Sequence, residues 1–129
     1  MQVETSYRSW QVNDVNGLQD VLAWRDNRGG AQFWLSDELV KYPVLAIRVT
    51  GELTNVFFFP KEGHPGFRCV GGEGLPKNES TTFVFDGCDP WTGEDSPNEF
   101  VVPLKTACSI AAEFLWKKEM SKAVSWLEL

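Results

Sequence analysis

The stretch VLAIRVTGELTNVFFF, residues 44–59, decides the fold. Its first half alternates apolar and polar side chains, with Arg48 opposite the apolar set, which is the pattern of a strand that buries one face. Gly51 and Glu52 interrupt the run. The second half ends in three consecutive phenylalanines, which indicates a strand whose two faces are both at least partly covered. We therefore predict an antiparallel hairpin of two strands here.

Outward from this hairpin, short runs rich in aromatic and β-branched residues predict further strands. These runs cover residues 7–12, 31–35, 67–70, 80–85, 100–102 and 124–129. Apolar residues recur at three- and four-residue spacing in two other places and predict helices there. The first helix runs from Val15 to about Arg25 and stops at Gly29-Gly30. The second begins at Pro103, and its apolar face comprises Leu104, Ala107, Cys108, Ala111, Phe114 and Leu115.

Strands outnumber helices and do not alternate with them regularly, so the pattern is typical of an α+β fold. The chain has 129 residues, enough to bury one core, and 43% of them are hydrophobic, as in a globular protein. We predict one domain over residues 1–129, an antiparallel-dominated twisted sheet with two main helices packed on it. The aromatic side chains expected in its core are Trp24, Trp34, Trp116, Trp126, Phe57, Phe59, Phe83, Phe85 and Phe114.

One segment is unlike the rest of the chain. Glycine and proline recur at positions 87, 90, 93 and 97, so residues 86–98 are predicted to form a loop. Between Lys77 and Lys105 the sequence has six carboxylates and no lysine or arginine, with Trp91 among them. The carboxylates are Glu79, Asp86, Asp89, Glu94, Asp95 and Glu99. This pattern favours a surface for a basic protein partner, although a solvated face with Trp91 folded onto the core is the alternative.

Charge and composition narrow the possible partners and compartment. The net charge of −6 argues against binding to nucleic acid or to anionic lipid, both of which favour a basic face. The sequence contains no apolar run long enough to cross a bilayer and no signal-peptide pattern at its first residues. Its three cysteines are widely spaced and odd in number, which is typical of free thiols. We expect a monomeric cytoplasmic protein.

Few residues in the sequence are candidates for catalysis or metal binding. His64 and Cys69 could form a catalytic pair, and both with Cys88 could contribute to a metal site, but neither set has a nucleophile motif or paired metal-ligand spacing. A small hydrolase would need His64 within hydrogen-bond reach of Cys69 or of a carboxylate in a pocket. We expect no catalytic residue, no metal and no cofactor.

Four pieces of the sequence together carry a resemblance. They are GHPGF (63–67), TTFVFDGCDPWTGEDSPNEFVVPL (81–104), the alanine-rich helix 107–114 and the closing SWLEL (125–129). In these pieces the C-terminal half resembles the Imm1 family of bacterial immunity proteins. The resemblance implies a small α+β domain that binds and neutralises the C-terminal toxin domain of a neighbouring gene's product. Nucleic-acid deaminases are among the toxins associated with the family.

The acidic segment and the resemblance combine into one hypothesis. A toxin that acts on nucleic acid needs a basic face, and a surface of carboxylates can occupy that face in place of phosphate. The expected partner-binding residues are Asp86, Asp89, Trp91, Glu94, Asp95 and Glu99, with His64, Phe67 and Arg68 as a second edge. The alternative is a non-catalytic cytoplasmic adaptor that binds some other protein.

Overall fold

The structure is a computed structural model that describes residues 1–85 and 93–129. These residues form ten strands, two α-helices and one 3-10 turn. The strands are β1 (Gln2–Glu4), β2 (Ser9–Gln11), β3 (Gly30–Ser36), β4 (Val44–Thr50), β5 (Leu53–Phe59), β6 (Phe67–Val70), β7 (Ser80–Phe83), β8 (Glu94–Pro97), β9 (Val102–Pro103) and β10 (Ser125–Glu128). The helices are α1 (Val15–Leu22) and α2 (Leu104–Lys117), and the 3-10 turn is Asn98–Phe100.

The strands form two antiparallel sheets within the described residues. The main sheet has the order β10–β6–β5–β4–β3–β1–β2, and β9 adds to β5 beside this path. Strands β7 and β8 pair with each other in a separate two-stranded sheet. Each pairing between neighbours is antiparallel. The chain is therefore a single α+β domain, as its sequence predicts.

The central hairpin is confirmed. Strands β4 and β5 pair from Val44 opposite Phe59 to Thr50 opposite Leu53, and Gly51 turns the chain with a φ of 56°. That left-handed conformation suits glycine because glycine has no Cβ. The strands predicted at residues 67–70 and 124–129 are also present, and they pair with each other as β6 and β10.

Both helices pack on one face of the main sheet. Helix α1 begins after Asp14, whose carboxylate accepts a hydrogen bond of 2.7 Å from the Gly17 amide. Helix α2 ends at Lys117, and the next residue, Lys118, caps it in the left-handed conformation with φ 53°. The ring of Phe114 meets that of Phe58 edge-on, 6.2 Å away between centroids. The helices bury Leu18, Val21, Leu22, Ala107, Ile110, Ala111, Phe114 and Leu115.

The loop predicted over residues 86–98 is wrong in its second half. Residues 94–97 form β8, which pairs with β7 from Phe83 opposite Glu94 to Ser80 opposite Pro97, and the 3-10 turn follows. Gly93 and Pro97 bound this short strand instead of preventing it, because a proline at the end of a strand removes no interior ladder bond. Residues 86–92 of the predicted loop lie outside the described residues.

One aromatic residue predicted in the core is on the surface. Trp116 is 67% exposed. It follows Phe114 by two positions on α2, about 200° around the helix, so it points away from the sheet that Phe114 contacts. Phe83, Phe85 and Phe114 are fully buried as predicted, whereas the remaining core candidates are only half-buried, namely Trp24, Trp34, Trp126, Phe57 and Phe59.

Candidate protein-binding surface

The two faces of the main sheet carry different side chains. Alternation along β4 and β5 directs Ile47 and Phe58 toward the helices, and we call this side the helix face. The opposite side carries Arg48, Asn55 and Phe57, and Arg68 of β6 lies beside Phe57 in register. We call this side the hairpin face, because the β7–β8 hairpin packs over it.

The hairpin face is built around a column of alternating rings and guanidinium groups. Arg48 and Arg68 reach the ring of Phe57 from the strands on either side of β5, each with its guanidinium carbon 5.1 Å from the ring centroid. Arg48 also lies 5.7 Å from the ring of Phe85, and Arg68 lies 4.5 Å from the ring of Phe100. Such cation–π contacts gain strength where water is excluded. We call these five residues the arginine–aromatic column.

Hydrogen bonds join this column to the hairpin. The Arg48 Nη1 lies 2.9 Å from the Glu94 Oε2 in an ion pair, and the Arg68 Nη2 donates to the Ser96 Oγ at 2.7 Å. The amide of Asn55 donates to the same Ser96 Oγ at 2.9 Å and to the Phe100 carbonyl at 3.0 Å. Asn55 is fully buried, so these bonds are shielded from water. Strand β8 is therefore fixed to the main sheet through polar contacts.

Arg48, Asn55 and Arg68 form a polar layer between the main sheet and the hairpin, and some of its buried atoms lack hydrogen bonds. In the described parts of the chain, the buried Arg48 Nε, Arg68 Nε and Asn55 Oδ1 have no hydrogen-bond partner. Burial, together with repulsion from Arg48, lowers the pKa of the Arg68 guanidinium, and the nearby carboxylate of Glu99 partly offsets this. An arginine nevertheless stays charged at neutral pH. The layer therefore holds two positive charges beneath the hairpin.

Three carboxylates lie on β8 and on the 3-10 turn that follows it, and we call Glu94, Asp95 and Glu99 the acidic rim. The Asp95 side chain is exposed and accepts a hydrogen bond of 2.6 Å from the Thr82 hydroxyl. Glu99 is exposed beside an open cleft of about 560 Å³ between the hairpin and the Gly71–Gly72 turn. The acidic segment is not single-signed in three dimensions, since Arg48 pairs with Glu94 from beneath.

The three residues predicted as a second edge of the binding surface, His64, Phe67 and Arg68, do not lie together. Arg68 joins the hairpin face, but Phe67 precedes it in β6 and points to the helix face, opposite Phe58 in register. His64 stacks on Phe67 with ring centroids 5.2 Å apart. Its Nδ1 accepts the Gly66 amide at 2.8 Å, so its Nε2 carries the proton and donates to Glu128 at 3.0 Å. His64 and Phe67 therefore do not share a surface with the acidic rim.

The remaining chemical candidates show no activated nucleophile among the described residues, and Cys88 lies outside those residues. Cys69 is fully buried, and burial raises the pKa of its thiol to about 11, so the thiol is protonated at neutral pH. His64 does have a carboxylate partner, but that partner is the exposed Glu128 of the neighbouring strand β10. Among residues 1–85 and 93–129, no three histidine, cysteine or acidic side chains come together as metal ligands. The chemical features of the described hairpin face are therefore its fixed charges and aromatic rings.

The structure brings four of the nine expected binding residues together, namely Glu94, Asp95, Glu99 and Arg68. Asp86, Asp89 and Trp91 lie outside the described residues. Sequence reasoning misses Asn55, Ser96 and the role of Arg48. Only Arg48 gives a sequence signal, as a lone charge in an otherwise apolar strand.

The chain matches no protein-family model and has no significant match among curated proteins. In the described parts of the chain, no helix is both long and apolar enough to cross a membrane.

Proposed function

We propose that this chain is an immunity protein that binds a toxin domain through its hairpin face and so neutralises it. The observation that carries the proposal is the acidic rim, held in place by β8 on the arginine–aromatic column. A charged surface that is fixed before binding loses little conformational entropy when the partner arrives. The resemblance of residues 63–67, 81–104, 107–114 and 125–129 to immunity proteins supports a toxin as that partner.

The proposed partner has a basic face. Glu94, Asp95 and Glu99 would attract it over long range and so raise the association rate, as complementary charge does in other complexes. Asp86, Asp89 and Trp91 belong to the same stretch of chain and are part of the proposal on sequence grounds. A toxin that acts on nucleic acid, such as a deaminase, has the basic substrate groove that this chemistry fits. The chain acts there as a cytoplasmic inhibitor without catalysis of its own.

Calorimetry with the C-terminal domain encoded by the adjoining upstream gene tests the proposal. We expect a Kd of about 1 nM, equivalent to roughly −12 kcal/mol, that weakens as salt is raised from low to moderate concentration. Tight binding that salt does not change would retain immunity but move the interface to apolar residues. No binding at micromolar concentration would refute the pairing and favour an adaptor for another protein.

Reversing the charge of acidic residues tests whether the acidic rim forms the interface with the toxin domain. Replacing Asp89, Glu94 and Asp95 by lysine should slow association with the toxin domain by at least tenfold, because it removes the attractive field. The matched control replaces Glu4, Asp20 and Glu119, three exposed carboxylates elsewhere, by lysine. The net charge changes equally in both variants. If the two variants associate at equal rates, the acidic rim is not the interface.

A further inference from the structure

Arg48 contacts the chain at the end of β7 and at the start of β8. It is central in β4, and its side chain is 25% exposed. Its guanidinium contacts the ring of Phe85, which follows β7, at 5.7 Å. It also pairs with Glu94, the first residue of β8, at 2.9 Å. The same guanidinium rests on Phe57 of the sheet beneath, so one side chain links both strands of the hairpin to the main sheet.

Other contacts near these two points support the same placement. The Arg28 Nη1 donates to the Phe85 carbonyl at 3.2 Å, which holds that residue to the start of β3. Gly93 adopts φ 66°, and a Cβ there would lie 2.7 Å from the Phe83 carbonyl oxygen. Phe85, before residues 86–92, is thus held to the chain that leads into β3, whereas Gly93, after them, lies close against β7. Arg48 contacts both sides of this segment, at Phe85 and at Glu94.

We propose that Arg48 is a positioning residue for partner binding, acting through Phe85 and Glu94 and touching no partner itself. This inference rests on the proposed function. Holding the hairpin in one position lowers the entropy lost on binding and so slows dissociation of the complex. Arg48 also neutralises the charge of Glu94. Its positive charge should therefore weaken binding to a basic partner, whereas its positioning of the hairpin should strengthen that binding.

That opposition makes the inference testable. Arg48→Gln adds one net negative charge beneath the rim, so attraction alone predicts faster association with a basic partner and tighter binding. Positioning predicts weaker binding despite the added negative charge. The two accounts therefore differ in the sign of the change in affinity.

The experiment immobilises residues 1–129 and measures the rates at which the toxin domain associates with them and dissociates from them. For Arg48→Gln we expect dissociation at least tenfold faster, with association unchanged or up to about twofold faster. Arg8→Gln is the matched control, because Arg8 is exposed, stacks on Trp10 at 5.6 Å and precedes the edge strand β2. It should leave both rates within twofold of the wild type. Equal or slower dissociation of Arg48→Gln would overturn the inference.

A second measurement needs no partner. Amide hydrogen exchange followed by NMR should be at least tenfold faster in β7 and β8 of Arg48→Gln, while β3 and α2 keep their wild-type rates. Arg48→Lys keeps the charge and should show a smaller change in the same strands. Unchanged exchange in β7 and β8 would overturn the inference. If exchange changes as expected but the wild type binds no toxin domain, the proposed function fails while the link from Arg48 to the hairpin stands.

Discussion

The helix face and the hairpin face belong to one sheet but are covered by different chemistry. On the helix face, Ile47, Val56 and Phe58 pack against apolar side chains of α1 and α2, with Phe114 against Phe58. On the hairpin face, Arg48, Asn55 and Arg68 meet rings, a hydroxyl and a carboxylate. The helix face is sealed by burial of apolar area, whereas the hairpin face is held by geometry-dependent polar contacts.

Because the two faces are held by different contacts, substitutions can test stability and the proposed binding separately. Apolar burial tolerates exchange of one hydrophobic side chain for another of similar size. A polar layer does not, because each buried group must keep its partner. We therefore expect substitutions on the helix face to change mainly the free energy of unfolding. Substitutions on the hairpin face should change the placement of the hairpin and its binding.

The largest effect is expected on the helix face. Phe114→Ala removes a fully buried ring that contacts Phe58, so it should lower the free energy of unfolding by roughly 3 to 5 kcal/mol. Urea denaturation monitored by circular dichroism measures this. Trp116→Ala on the same helix is the control, since its side chain is 67% exposed and the change should stay within about 0.5 kcal/mol. Equal losses from both variants would contradict the described packing of α2.

The second-largest effect on the free energy of unfolding is expected at Asn55, whose side-chain amide is buried on the hairpin face. Asn55→Ala leaves the Ser96 hydroxyl and the Phe100 carbonyl without its hydrogen bonds, which should cost about 1 to 3 kcal/mol of unfolding free energy. The same denaturation experiment applies, with the exposed Asn16→Ala as control. A loss as small as that of the control would show that Asn55 does not hold the hairpin.

A pH-dependent effect follows from the buried thiol. The pKa of Cys69 is raised from 9.0 to about 11 by burial, so the folded state favours the protonated thiol. Its contribution to stability is complete below pH 9 and is lost as the pH rises toward 11, by on the order of 2 kcal/mol. Cys69→Ala removes this contribution. The stability difference between wild type and variant should therefore shrink between pH 8 and pH 10.5, and a constant difference would contradict the burial of the thiol.

The smallest effect is expected at the exposed ion pair. Glu94→Gln removes the partner of Arg48, but the Glu94 side chain is 43% exposed, so the loss of stability should be only about 0.5 kcal/mol and smaller at high salt. The control is Glu113→Gln, which removes the 3.7 Å pair with Lys117 on α2. Only the change at Glu94 should also alter amide exchange in β7 and β8. A change of that kind in both variants would remove the distinction between the two faces.

The sequence predicts the helix face well for a physical reason. Apolar periodicity is a local signal, and it identifies the β4–β5 hairpin, both helices and the return of β10 to the sheet. It does not identify β1, whose three residues are too few to show a period. It misplaces Trp116, since a tryptophan carries the same hydrophobic signal whether it faces the core or a partner.

The hairpin face is predicted poorly because its contacts join distant parts of the chain. Arg48 and Glu94 are 46 positions apart, and Asn55 and Ser96 are 41 apart. No local pattern reports such pairs. The run of carboxylates is visible in the sequence, but the arginines that lie beneath it become visible only when β4 and β6 are placed under the hairpin.

The most direct test of the account is a hydrogen-exchange footprint of the complex with the upstream-encoded toxin domain, read by mass spectrometry. If the hairpin face binds the toxin domain, exchange in peptides covering β7, β8 and the 3-10 turn should be slower in the complex than in the free protein. Peptides covering α1 and α2, including Trp116, should exchange as in the free protein. Protection confined to α2 and the exposed Trp116 would place the partner on the helix side and contradict the claim that the hairpin face binds it.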